Sequence, residues 1–325
     1  MRVKLRERAH REEGVVMIMV ALSMVVILGG AAISVDLGNA WQSKRQLHTA
    51  SDSAALSAGE VYAFKGNGCA SIAGSYLNNN DSASSQASCT AASGSAPSSG
   101  YVTVGATKPI TWHFVNKASS TLTSQTSAEW GLPASAGGMR PFALCENYPA
   151  FNAWMNNPAG PAGTSASITI PFTNGNLGCQ NAPGNWAFLD YNGTSGGAND
   201  LKDWFANGYP DPVTFPSNIA PQTGHVSSLQ STLQTLVSAG TVFPIAVYDL
   251  VNGTGNNASY HAVGVVQVQL IDFSITGSPS NQYMTFKFVP GFVTGVCCGT
   301  GPDAGSRVVN ICAVNKDPKA GECGT

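Results

Sequence analysis

Residues 15–35 read VVMIMVALSMVVILGGAAISV, a run with no charged side chain. As an α-helix this run extends about 32 Å at about 1.5 Å per residue, close to the roughly 30 Å hydrocarbon thickness of a bilayer. Beyond it the chain turns polar and glycine-rich and carries all eight of its cysteines. The run predicts a transmembrane helix at 15–35 with one large domain on the far side.

The flanks predict orientation. Residues 1–14 hold Arg2, Lys4, Arg6, Arg8 and Arg11 against Glu7, Glu12 and Glu13. Basic residues beside a span stay cytoplasmic and acidic ones count little. Residues 1–14 are therefore expected to be a cytoplasmic basic segment, with 36–325 outside. Two processed forms compete with this signal-anchor reading. A secretory signal peptide has an apolar region of about 7–15 residues, shorter than this run, although Ala31 or Ala32 offers a small-residue cleavage site. Cleavage after Gly14 would resemble type IV prepilins, but the Glu usual five residues into such chains is here Met19.

The part beyond residue 35 is long enough for one large or two small domains with a real core. It keeps 11 of the 16 basic and 15 of the 18 acidic residues, a thinly spread net −4. No basic face for nucleic acid results, and no polybasic segment for lipid headgroups.

Cys69, Cys89, Cys145, Cys179, Cys297, Cys298, Cys312 and Cys323 all lie past the span, where an oxidising compartment favours disulfides. Eight cysteines allow about a hundred pairings. Local pairing is expected: Cys69 with Cys89, Cys145 with Cys179, and the last four among themselves, with Cys297 and Cys298 reaching two different partners. A four-cysteine zinc site at 297–323 is the competing reading, but the segment lacks a CxxC repeat.

From Asp36 to Phe64 there is no proline, and Leu47, Ala50, Ala54, Ala58 and Val61 fall on one helical face. The apolar helix should thus continue into an exterior amphipathic helix at 36–65, ended by Gly66 and Gly68. Its narrow alanine stripe suits close approach by a neighbouring helix or by the protein's own domain. Residues 66–100 are expected to be a flexible Ser/Asn-rich loop pinned at Cys89. From about 101 to 325 a β-rich exterior domain follows. Strand-like runs are ITWHFV (110–115), ASITIPF (166–172), TVFPIAVYDL (241–250), YHAVGVVQVQLIDF (260–273) and QYMTFKFV (282–289). Gln267 and Gln269 alternate with Val266, Val268 and Leu270, the pattern of a sheet with one wet face. GTGNNAS (253–259) reads as a hairpin link. Helices are expected at Asp200–Asn207 and Val226–Ala239, the second with Ser227 or Thr223 near its cap and Gly240 after it. The fold class is α+β: a long N-terminal transmembrane helix running on into an amphipathic one, then a strand-dominated, disulfide-containing domain.

The stretch SVDLGNAWQSKRQLHTASDSAALSAG (34–59) resembles the N-terminal region of the TadE/TadG-like Flp pilus-assembly (tight-adherence) family, in its TadG-like form. Val35, Asp36, Gly38, Leu47, Ala50, Asp52, Ala54, Ala55, Leu56 and Ala58 fall on the family pattern, while Ser51, Ser53 and His48 depart from it. The later runs GNWAFLDYNG, NDLKDWFANGYP and HAVGVVQVQLIDF are also similar to TadG-related proteins. The resemblance implies a single-pass protein of the bacterial cytoplasmic membrane, acting without catalysis or cofactor beside pilin-like or other pilus-assembly proteins. Some relatives carry a von Willebrand factor type A domain, whose DxSxS metal motif is absent here.

Motifs of chemistry are weak. Gly193-Thr194-Ser195-Gly196-Gly197 superficially matches a serine-protease nucleophile loop, but no partner motif surrounds His113, His225 or His261. Asp190, Asn192, Asn199 and Asp200 supply oxygens that calcium would accept, without the spacing of a calcium loop. Trp154, Trp186 and Trp204 suit either a sugar-binding surface or core packing. No catalytic, cofactor or metal residue is assigned. The leading expectation is a non-enzymatic assembly component; the alternative is an independent cell-surface adhesin or ligand-binding protein.

Overall fold

The computed structural model describes residues 3–93, 98–115, 119–156, 166–172, 179, 188–193, 197–222 and 227–312. Helix α1 (Val3–Lys65) is unbroken, since no proline falls between its ends. The part from Gly14 to Lys65 contains a window of mean hydropathy 2.6 with none of it buried, long and apolar enough to cross a membrane. Gly66, at φ 65°, stops the helix and donates its N–H to Tyr62 O at 2.8 Å. A short link leads to α2 (Cys69–Asn80), which packs back on α1 through the buried Ala73 and Leu77.

The next elements are β1 (Ser85–Ser93), β2 (Gly100–Ile110) and β3 (Ser120–Gly131), each antiparallel to the one before. After them come β4 (Ser135–Ala136), β5 (Ala143–Cys145), α3 (Pro149–Met155), β6 (Ser167–Pro171), β7 (Leu189–Asp190) and α4 (Ala198–Asn207). Then follow β8 (Val213–Thr214), β9 (Ser217–Pro221), α5 (Gln230–Ala239), β10 (Val242–Asn252) and β11 (Ser259–Ser274). The described part closes with β12 (Tyr283–Phe288), β13 (Gly291–Phe292) and β14 (Ser306–Ile311).

Two main sheets result. The first has strand order β1-β2-β3-β14-β13 and lies against the second half of α1. The second runs β5-β10-β11-β12-β6, with β9 added on β11 and β7 on β9. Its core gathers Phe142, Phe151, Tyr248, Tyr260, Phe286 and Phe288, all fully buried. The chain is therefore α+β, a long apolar helix followed by a strand-rich, disulfide-bonded body.

The runs at 166–172, 241–250, 260–273 and 282–289 lie on β6, β10, β11 and β12, and 253–259 joins β10 to β11. Gln267 and Gln269 are half-exposed between the buried Val266, Val268 and Leu270. The helix expected at 226–239 begins as a 3-10 turn at Ser227–Leu229, has no side-chain cap, and ends on Gly240 at φ 62°; Thr223 lies outside the described residues.

Two expectations are corrected. ITWHFV is not a strand: β2 ends at Ile110, because the N–H groups of His113, Phe114 and Val115 are taken by a carboxylate from α1 rather than by a ladder. Nor is 66–100 a flexible loop, since α2, β1 and the first residue of β2 occupy it. A Cys69–Cys89 bridge and backbone pairing of β1 with β2 order it in place of a large apolar surface.

Candidate functional site

The second half of α1 is the chain's organising surface. Leu47, Ala50, Ala54, Ala55 and Ala58 are at most 1 % exposed and meet Val102, Val104, Ala106 and Ala128 of β2 and β3. Val61, the last residue of the predicted stripe, is half-buried. Alanines let the helix backbone lie close to the sheet; a Cβ on Gly59 would sit 3.2 Å from Val309 Cγ1.

Hydroxyls complete the dock. Ser51 Oγ lies 2.9 Å from both Ser124 Oγ and Thr126 Oγ1, and Thr126 donates to Asp52 Oδ1 at 2.8 Å. His48 Nδ1 meets Ser124 Oγ at 2.9 Å, and Lys44 Nζ donates to Thr123 O. Further on, the Tyr62 and Trp130 rings are 6.3 Å apart. Numbers rise together on helix and strand, so β3 runs in the same direction as α1. Of the three departures from the family pattern, Ser51 and His48 are used here, while Ser53 Oγ donates to Thr49 O within the helix at 2.9 Å.

At the start of this half sits Asp36, 2 % exposed. Its carboxylate accepts hydrogen bonds from the N–H groups of His113, Phe114 and Val115 at 2.9, 2.9 and 2.8 Å. The far end is tied differently. Phe64 meets Phe292 edge-on at 5.0 Å, and the Arg307 guanidinium stacks over Phe64 while making a paired contact to Asp303 at 2.6 Å.

A second buried ion pair steadies the α2 side. Lys108 Nζ donates to Asp81 Oδ2 at 2.7 Å and to Gln46 Oε1 at 3.0 Å. Burial works against the Asp81 carboxylate, but hydrogen bonds from Lys108, Ser84 and the Ala83 N–H outweigh it and hold its pKa below the ordinary value.

The cysteines fall into distinct places. Cys69 bonds Cys89, and Cys145 bonds Cys179. Cys297 and Cys298 bond each other, rather than two different partners; adjacency leaves each the other's nearest sulfur. Cys312 is disulfide-bonded, and Cys323 lies outside the described residues. Glu129 brings a carboxylate oxygen within 4.8 Å of both sulfurs of the adjacent pair. Sulfurs held in a disulfide are not the thiolate ligands a metal takes.

The remaining candidates separate. Trp154 stacks on Phe288 at 4.4 Å and Trp204 meets Tyr209 edge-on, both in the core, while Trp186 is outside the described residues. Asp190 is buried and accepts from the Gly193 N–H at 3.2 Å; Asn199 and Asp200 lie on the first turn of α4. Ser195 and His225 are outside the described residues. His261 Nδ1 lies 2.7 Å from Asp249 Oδ1 beside an open cleft of about 440 Å³ that also takes in Glu146 and Pro302. Burial, helped by the Asp249 charge, pushes the Glu146 carboxyl above its ordinary pKa. Sequence reasoning missed this grouping, which the parallel pairing of β5 with β10 creates.

A helix of membrane-spanning length that runs without a break into the core of a sheet domain defines a class of protein, the apolar stalk with a spine-built head. Within that class, residues 14–61 match the family described as "Putative Flp pilus-assembly TadE/G-like". The match lies wholly on α1 and includes Asp36, Leu47, Ala50, Ala54 and Ala58. No curated protein and no solved structure matches the chain. The matched segment supports involvement in Flp pilus assembly.

Proposed function

We propose that this chain is a non-enzymatic, membrane-anchored component of a Flp (tight-adherence) pilus assembly or secretion apparatus. One observation carries the reading: the TadE/G-like match falls on a helix whose apolar part is largely uncovered and whose later part, from Leu47 to Ala58, enters a domain core. Proteins of this family are structural, and in this proposal the head supplies scaffolding. The N-terminus is cytoplasmic in this proposal, as the basic flank directs. Residues 36–325 lie on the exterior or periplasmic side of a bacterial cytoplasmic membrane, where the disulfides are retained. Its partners are pilin-like or other assembly proteins.

Crosslinking in intact membranes, followed by affinity capture and mass spectrometry, tests the role. Recovery of pilins, a platform membrane protein or an assembly ATPase is the expected result. Capture of the chain alone, or only with unrelated surface proteins, would transfer it to the class of independent adhesins.

A further inference from the structure

The loop after β2 lies where the apolar run of α1 ends. Phe114 is 63 % exposed and Val115 39 %, and His113 is exposed beside them. Ordinarily such side chains at a hairpin tip would be free to point anywhere. Here the backbone of all three is pinned on Asp36, the first charged residue after the span. A hydrogen bond of 2.9 Å from the Phe114 N–H to Asp36 leaves that residue no more than about one helical turn from the end of the apolar run.

The helix itself is uncovered at the same level. Val35, Leu37 and Trp41 are 55, 58 and 69 % exposed, although Asp36 between them is buried. Trp41 follows residue 35 by about 9 Å of helix rise, within the headgroup layer, where tryptophan side chains are enriched. Ala32, one turn before Asp36 on its face, is half-buried while Ala31 and Ile33 are exposed. The cover on Asp36 thus extends one turn into the apolar run.

We propose that Phe114 and Val115 form a second membrane contact, seated in the interface of the bilayer that α1 crosses and held there by Asp36. This rests on the reading of 15–35 as a membrane span. The occupant is lipid because the exposed patch is tied to Asp36, at the level where the uncovered apolar run ends, and an apolar side chain at this depth is buried by acyl chains and headgroups without any protein partner. The head would then touch the membrane at two places, the helix and the loop, fixing its tilt.

The test uses the full chain reconstituted in vesicles of phosphatidylcholine and phosphatidylglycerol. A photoreactive phenylalanine analogue is placed at Phe114, at Val25 in mid-span, or at Leu250 on β10, each exposed in the structure. Lipid adducts at 25 and 114 with none at 250 are expected, and Asp36→Ala should lose the adduct at 114 while keeping that at 25. Adducts at 25 alone, or a protein crosslink at 114 in place of lipid, would overturn the loop contact and leave the span intact. Absence of adducts at 25 as well would overturn both, placing the failure in the span.

Discussion

The carboxylate of Asp36 accepts a hydrogen bond from the backbone N–H of Phe114 at 2.9 Å, across 78 positions of sequence. A residue that begins a helical signature is thereby the anchor of a loop between two strands. The same carboxylate holds the N–H groups on either side, so three donors depend on one side chain. Charge-assisted bonds of this kind are the stronger class.

Removing that acceptor should loosen the loop before it harms the rest. In Asp36→Ala, the amides of His113, Phe114 and Val115 are expected to exchange with solvent much faster, while those of β3 keep their protection. Hydrogen–deuterium exchange with mass spectrometry of the detergent-solubilised chain reads this, and unchanged exchange at 113–115 would refute the anchor.

Ala58 is fully buried between α1 and the first sheet. Ala58→Leu should cost about 1–3 kcal/mol by overpacking, whereas Arg45→Ala, on the exposed side, should stay within about 0.5 kcal/mol. Urea unfolding monitored by near-UV circular dichroism compares them. The same geometry makes Ala54→Glu a folding lesion: it puts a carboxylate where the sheet leaves no room, so lost assembly in that variant would not report a free packing face.

The Cys69–Cys89 bridge closes a 20-residue separation. Loop-closure entropy assigns such a bridge about 3 kcal/mol. A Cys69→Ala/Cys89→Ala double variant should unfold at correspondingly lower urea and expose α2 and β1 to protease first. Equal midpoints for variant and parent would remove the bridge from the account of why this Ser/Asn-rich stretch is ordered.

Acid should weaken the α2 side. The Asp81 pKa is lowered in the folded chain, so its contribution is present above the unfolded value near about 4 and is lost as pH falls through the folded value. Urea midpoints between pH 6 and pH 3 should therefore fall less in Asp81→Asn than in the parent. Equal slopes would show that Lys108 does not stabilise the ionised form.

What could be read in advance follows from which signals are local. The apolar run and the 3–4 spacing of Leu47, Ala50, Ala54 and Ala58 are short-range patterns, and so are the β-branched runs of β10, β11 and β12. β2 and β3 were not legible because GYVTVGATKPI and STLTSQTSAEWG hold few large apolar residues. The inward positions of β2 are the small or β-branched Val102, Val104 and Ala106, and those of β3 include the hydroxyls Ser124 and Thr126, whose partners sit on α1. Asp36 was visible as part of a pattern, yet its partners were not, because nothing near residue 36 points to residue 113. The WHFV aromatics read as a strand, and that reading fails because the N–H groups of His113, Phe114 and Val115 are occupied by Asp36, which no local pattern announces. Glu146 and Asp249 came together through a parallel strand pairing that no spacing rule encodes.

The unbroken path of α1 has a mechanical meaning. From Asp36 to Phe64 the helix rises about 42 Å, bonded to the first sheet along its way and to Phe292 and Arg307 at its end. Between the apolar run and the head there is no linker in which a motion could be absorbed. Under the proposed topology, a turn of the span about its axis is a turn of the whole head, and a pull on the head is delivered to the membrane undiminished. In that topology α1 is one continuous shaft, and torque or load applied at either end is carried to the other.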